Sequence, residues 1–320
     1  MKHFFEESDH MLQKSINDKK FNDVFVEVPY LETLGQHANE QLRLFRMKEV
    51  ISNRFSKTSL QEFLEWNVGQ YVFSRSQIEQ FELEGNVFSV GMEALDLMRK
   101  SGHADERGTG NEVGEILLYA FLESVLGAPK IYSKVELNVS VRSDESVSDG
   151  MHLLSLGGDE HTLSYEMVFG ASSVIGDLGI AIDKAFERVQ QIEKHASTEI
   201  HIVDSTVFEL PEKDPVAQQL NEIITPRPDK TVCRDTAYGL FLGYTLGLDP
   251  NKYSSQEYRD LVDKKITAGV SNALPQIKEK IAELGLTNRS FYVYILPFDD
   301  AEDDKKSIMK NVMREGENDA

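Results

Sequence analysis

Residues 111–127, Asn-Glu-Val-Gly-Glu-Ile-Leu-Leu-Tyr-Ala-Phe-Leu-Glu-Ser-Val-Leu-Gly, carry apolar side chains at Val113, Ile116, Leu117, Ala120, Phe121 and Val125. That spacing lays one buried stripe along an α-helix. Asn111 suits the N-cap, and Gly127 followed by Pro129 suits the stop. Residues 131–141 then alternate, with Ile131, Val135, Leu137, Val139 and Val141 against Lys134, Glu136 and Asn138, the period of a half-buried strand. Met151–Leu156 and Thr162–Phe169 read as two more strands, joined by the hairpin-like Gly157-Gly158-Asp159-Glu160. The expected order is a helix followed by a three-stranded meander.

Beyond the meander, Asp177–Lys194 returns to helical spacing and Glu199–Val203 reads as a short strand. A helix near Val216–Ile224, a strand within Tyr238–Leu246, a long helix over Ser255–Leu284, a strand at Phe291–Leu296 and a charged final helix complete an α/β alternation. On the other side, residues 101–110 are polar and contain three glycines, which marks a boundary. Residues 1–100 are expected as an N-terminal α+β subdomain, with a strand at Val24–Val28 and helices at Asn39–Asn53 and Met92–Lys100. Residues 101–320 are expected as the main domain.

Lys and Arg number 34 and Asp and Glu 54, a formal charge of −20 that repels phosphodiesters on average. Nucleic acid as a substrate would need a metal or a basic partner to bring it in. Cys233 is the single cysteine, so an internal disulfide and a multi-thiolate zinc site are excluded. It is expected as a small buried thiol in a reducing compartment. Residues 1–7 turn acidic at once, without a signal-peptide pattern, and no apolar run reaches the ~18 residues of a membrane span. A soluble, cytoplasmic protein with no membrane contact is expected.

Gly108-Thr109-Gly110 before a helix resembles a phosphate loop only superficially. It lacks a preceding apolar strand and a Gly-Lys-Ser/Thr ending, and Glu112 and Glu115 would repel a phosphate. There is no His-Glu-x-x-His spacing, no Cys-His pairing and no Gly-x-Ser-x-Gly elbow. Carboxylates remain. Glu112 fits a helix-dipole role, whereas Glu115 lies a turn deeper beside Ile116 and Leu117, where a carboxylate wants a partner or a cation. Asp149-Gly150 reads either as a turn or as an acid at a strand start, and Glu166 sits within an apolar strand where an ionised group needs pairing. One or two such carboxylates suffice for Mg²⁺ or Mn²⁺ when a substrate phosphate supplies further ligands. His152, just after Asp149-Gly150, reads as a structural histidine rather than one that supports a metal ligand.

Gly-Asn-Glu-Val-Gly-Glu-Ile-Leu-Leu-Tyr (110–119), the segment around Lys134, Ser-Asp-Gly-Met-His-Leu-Leu (148–154) and Leu-Ser-Tyr-Glu-Met-Val-Phe-Gly (163–170), in this order, resemble the HamA family of Hachiman anti-phage effector subunits and its AbpA relatives. The likeness spans about residues 101–310. It implies a restriction-endonuclease-like PD-(D/E)XK core with a mixed sheet flanked by helices, DNA as substrate, Mg²⁺ or Mn²⁺ as cofactor, and a HamB-like helicase subunit as partner. Carried over by position, Glu115, Asp149 and Glu166 become metal ligands. The family's Glu-x-Lys becomes Glu166-Met167-Val168, with Val168 in the lysine position. Either Lys134 or Lys184 supplies the missing amine, or the centre is catalytically weak or dead.

Overall fold

The computed structural model describes residues 14–16, 18–35, 40–100, 110–139, 146–158, 162–200, 202 and 231–313. The expected helix near Val216–Ile224 lies outside them. A seven-stranded mixed sheet organises the chain, in the order β1 (Phe25–Val28), β2 (Gln41–Met47), β9 (Ser290–Phe298), β8 (Thr231–Thr245), β7 (Thr162–Val174), β6 (Gly150–Gly158) and β5 (Lys130–Ser133). The β5–β6–β7 meander is antiparallel, as expected, β7, β8, β9 and β2 run parallel to one another, and β1 is antiparallel to β2. Two-residue strands β3 (Val50–Ile51) and β4 (Arg54–Phe55) pair separately.

Helix α5 (Glu112–Phe121) forms where its apolar stripe predicts, and a turn of π-helix carries it to Gly127, whose φ of 76° ends it. Asn111 itself makes no capping bond to the helix. Small residues let α5 lie close on the sheet: a Cβ on Gly170 would strike Leu118, and one on Gly239 would strike Leu122. Helix α7 (Leu178–Lys194), capped by the Asp177 carboxylate, covers the other face, where Phe186 stacks on Phe291 beside Tyr238. Neighbouring residues of a strand point to opposite faces, so Tyr238 and Gly239 serve the two layers.

Four sequence expectations change. Residues 41–47 form β2 rather than a helix, because Leu42, Leu44 and Met47 point inward, with Arg43 and Arg46 between them, and the backbone bonds to distant β9. The strand expected over 131–141 stops at Ser133, whose hydroxyl accepts the Glu136 N–H and starts a short helix, α6 (Lys134–Val139). Residues 196–200 are helical, not the strand expected over Glu199–Val203. Cys233 is exposed, because β8 gains β9 as its second neighbour only from Ala237 onward.

The N-terminal region does not stand apart. β1 and β2 extend the common sheet, and helix α2 (Lys57–Val72) packs against α5, so both regions share one apolar core. Among the described residues no helix is long and apolar enough to cross a membrane.

Candidate functional site

The meander's exposed end and the two flanking helices enclose an open cleft of about 640 Å³. Glu112 and Glu115, one turn apart on α5, enter it from one side. Lys134 enters from the start of α6 and Asp149 from just ahead of β6. Lys184, Glu187 and Arg188 of α7 enter from the far side, and Ser172 and Ser173 of β7 form part of the wall. Four acids face three bases, so the cleft is far closer to neutral than the chain as a whole.

Asp149 is 3% exposed. Its Oδ2 accepts the Ser172 backbone N–H at 2.6 Å and the Ser172 hydroxyl at 2.7 Å. Its buried Oδ1 accepts no hydrogen bond and lies 3.7 Å from Arg188 Nη1. Glu115 accepts the Tyr71 hydroxyl at 2.8 Å, so the N-terminal α2 braces the site, and Lys134 Nζ is 3.9 Å from its other oxygen. Burial, and then the Asp149 charge, raise the Glu115 carboxyl from its ordinary 4.5 to about 7, against the opposing pull of Lys134. Two carboxylates crowded together, one with an orphaned buried oxygen, form an environment that a cation would relieve.

Glu115, Asp149, Lys134 and Lys184 therefore come together as expected, although Lys134 arrives on a helix and Lys184 is engaged with Glu187 at 2.8 Å. Glu166 does not join them. It lies on β7 opposite Leu154, buried, with its carboxylate bonded to the hydroxyls of Ser290 and Tyr292. Four residues separate Glu166 from Gly170, whose carbonyl accepts the Asp149 N–H, which at ~3.3 Å per residue puts it roughly 13 Å along the strand from the Asp149 level. Its place among the metal ligands is thus corrected: hydroxyl donors satisfy the buried charge, and no cation is required. Val168 is also corrected as the lysine position, since it is fully buried opposite His152, below the cleft.

The ladder identifies the true neighbours of Asp149. The regular pairing ends at Met151 and Phe169; beyond it the Asp149 N–H bonds to the Gly170 carbonyl at 2.9 Å and the Asp149 carboxylate takes the Ser172 N–H and hydroxyl. Residues two apart on a strand share a face, so Gly170 and Ser172, whose hydroxyl meets the Asp149 carboxylate and lies close to Gly114 of α5, flank Asp149 on its own side. Neither carries a charge. Among the described residues no group of three or more His, Cys, Asp or Glu side chains is arranged to hold a metal ion. A divalent cation would thus rest on Glu115 and Asp149 alone, with water and substrate oxygens completing its shell.

Reading the sequence alone misses Arg188, Ser172 and Glu199. Arg188 had a signal, since it follows Lys184 by one helical turn. Glu199, fully buried, accepts bonds from Ser146, Val147 and Ser148 just ahead of Asp149. His152 fills its expected structural role: its Nδ1 bonds to the Ala128 carbonyl at 2.8 Å, and burial lowers its pKa to about 4, so the ring is neutral.

Compared with known proteins, residues 19–312 match the family model HamA. No curated protein and no solved structure matches the chain.

Proposed function

The chain belongs to the HamA family, and from that premise we propose that it is the nuclease-fold subunit of a Hachiman anti-phage complex, one that engages DNA beside a helicase partner and has lost most or all of its cutting power. The order helix, antiparallel meander, helix, parallel strand, with an acid at the start of the second meander strand, supports a PD-(D/E)XK core. The observation that carries the loss of activity is the pair Gly170 and Ser172, which occupies the strand positions on the Asp149 face where a Glu-x-Lys pair would stand. Without that carboxylate and amine the cleft can still hold a cation and a phosphate, but it lacks the amine that would orient the attacking water. The charge of −20 favours delivery of DNA by a cationic partner.

A second reading has one specific observation in its favour. Lys134 lies beside Glu115 and Lys184 lines the same cleft, so a displaced amine is within the site. On this reading the chain is a Mg²⁺- or Mn²⁺-dependent deoxyribonuclease built on Glu115 and Asp149.

Plasmid cleavage with Mg²⁺ or Mn²⁺, with and without the helicase subunit, separates the two. Wild type, Asp149→Ala and the double variant Gly170→Glu/Ser172→Lys would be compared. An inert wild type and a cleaving double variant are expected. Wild-type cleavage that Asp149→Ala abolishes would overturn the first reading and establish the second.

A further inference from the structure

We infer that Glu199 is the positioning residue for Asp149, an inference that rests on the cleft being a cation and phosphate site. Glu199 lies in the helical turn after α7 and is fully buried. Its Oε1 accepts the Val147 N–H at 2.7 Å, the Ser148 N–H at 3.3 Å and the Ser146 hydroxyl at 3.2 Å. Its Oε2 accepts the hydroxyls of Tyr132 at 2.8 Å, Ser146 at 3.0 Å and Ser148 at 3.1 Å. Asp149 is the next residue, and its own N–H reaches the Gly170 carbonyl at 2.9 Å.

A single carboxylate thus gathers the three residues before Asp149 and ties them to β5 and to the turn after α7. Arg188 holds the same segment from the cleft side, donating from Nη1 to the Val147 carbonyl at 3.0 Å while facing Asp149 Oδ1. Burying a carboxylate is costly unless donors surround it, and here the donors converge from one short segment and one neighbouring strand. Burial first, and then the Glu199 charge, push the Tyr132 hydroxyl well above its ordinary value, which keeps it protonated as a donor. The result is a segment held by Glu199 on one side and Arg188 on the other, so the approach of Asp149 to the cleft is set in part by a residue outside the cleft lining. Metal ligands depend on such outer contacts for their orientation.

The test uses the full chain and Mn²⁺ as the probe, comparing wild type with Glu199→Gln, which replaces one acceptor oxygen by an amide NH₂. Hydrogen exchange at the Val147 and Ser148 amides is expected to rise about tenfold beyond any global change, and Mn²⁺ affinity to fall about tenfold, the scale of one lost charge-assisted hydrogen bond. Glu166→Gln serves as the control for losing a buried carboxylate elsewhere, and its Mn²⁺ affinity should match wild type. If Glu199→Gln lowers the melting temperature but leaves Mn²⁺ affinity at the wild-type value, Glu199 is structural only and the inference is overturned. Should Glu199→Gln fail to fold, Ser148→Ala removes one donor and keeps the buried charge; a smaller loss in the same direction supports the inference, and no loss sinks it. Should wild type take up no Mn²⁺, the cation reading fails by itself. The ¹³C shift of the Asp149 carboxyl then decides: displaced in Glu199→Gln if Glu199 sets its place, unchanged if it does not.

Discussion

Asp149 and Ser172 form a two-point lock, in which one carboxylate oxygen takes both the backbone N–H and the hydroxyl of the serine, at 2.6 and 2.7 Å. The lock fastens the start of β6 to β7 and leaves the second oxygen of Asp149 buried, without a hydrogen bond and 3.7 Å from Arg188 Nη1. It also explains why residues 170–173 are small, since the sheet end closes against α5, where a Cβ on Gly114 would already sit 3.1 Å from the Ser172 hydroxyl.

The Glu115 carboxyl is raised to about 7 in the folded chain, chiefly by burial and then by Asp149. The folded state therefore binds a proton more tightly than the unfolded one, and the stability that this proton contributes is complete below about 4.5 and lost as pH rises through about 7. Glu115→Gln should flatten that part of the profile and be the more stable form at pH 8, by on the order of 1–3 kcal/mol. Urea midpoints across the range would show it; parallel profiles for the two proteins would contradict it.

Cation binding should follow the same proton. Mn²⁺ must displace it from Glu115, so affinity should climb between about pH 5 and 7 and then level off, and calorimetry in buffers of different ionisation enthalpy should register proton release at pH 6. Asp149→Ala should weaken Mn²⁺ binding at least about tenfold at either pH, the usual scale for losing a ligand or its support. Binding that is indifferent to both would remove the cation from the account of this cleft.

Glu166→Ala tests the separation of that residue from the cleft. Its loss leaves the hydroxyls of Ser290 and Tyr292 without their acceptor in the core, which should cost about 1–3 kcal/mol in stability. Mn²⁺ affinity should stay at the wild-type value. A parallel loss of cation binding would return Glu166 to the ligand set.

Lysine substitutions along β7 should also sort by register. Val168 is fully enclosed, so Val168→Lys buries an amine without a partner and should destabilise by about 3 kcal/mol or more, with no gain of cleavage. Ser172 lines the cleft with its hydroxyl on Asp149, where a lysine in its place can reach water and the Asp149 carboxylate, so Ser172→Lys should cost much less. Thermal melts of the two variants rank them directly; the reverse order would mean that the strand faces have been misassigned.

Much of this was legible in the sequence. The stripe Val113, Ile116, Leu117, Ala120 and Phe121 specifies α5, and with it the depth at which Glu115 meets the cleft. Asp149 before a glycine at a strand start was legible too, as was Lys184 on the charged side of α7. The misplacements have a common cause. Glu166 in an apolar strand signals that something must satisfy it, but not whether that is a metal or the hydroxyls of Ser290 and Tyr292, which lie more than 120 residues later. Glu199 was equally hidden, because its donors lie some 50 residues earlier and an isolated glutamate has no local signature of burial.

By itself, then, the sequence determined what depends on neighbours along the chain: the amphipathic helices, the hairpin of the meander, and a net charge that disfavours DNA on the bare chain. Only the tertiary structure decided which residues share the cleft. Along an alternating strand, local pattern does not show which residue stands level with Asp149; strand pairing alone sets that level. The bonds of Asp149 to Gly170 and Ser172 set it there rather than at Glu166, and so change an expected cluster of three carboxylates into a pair.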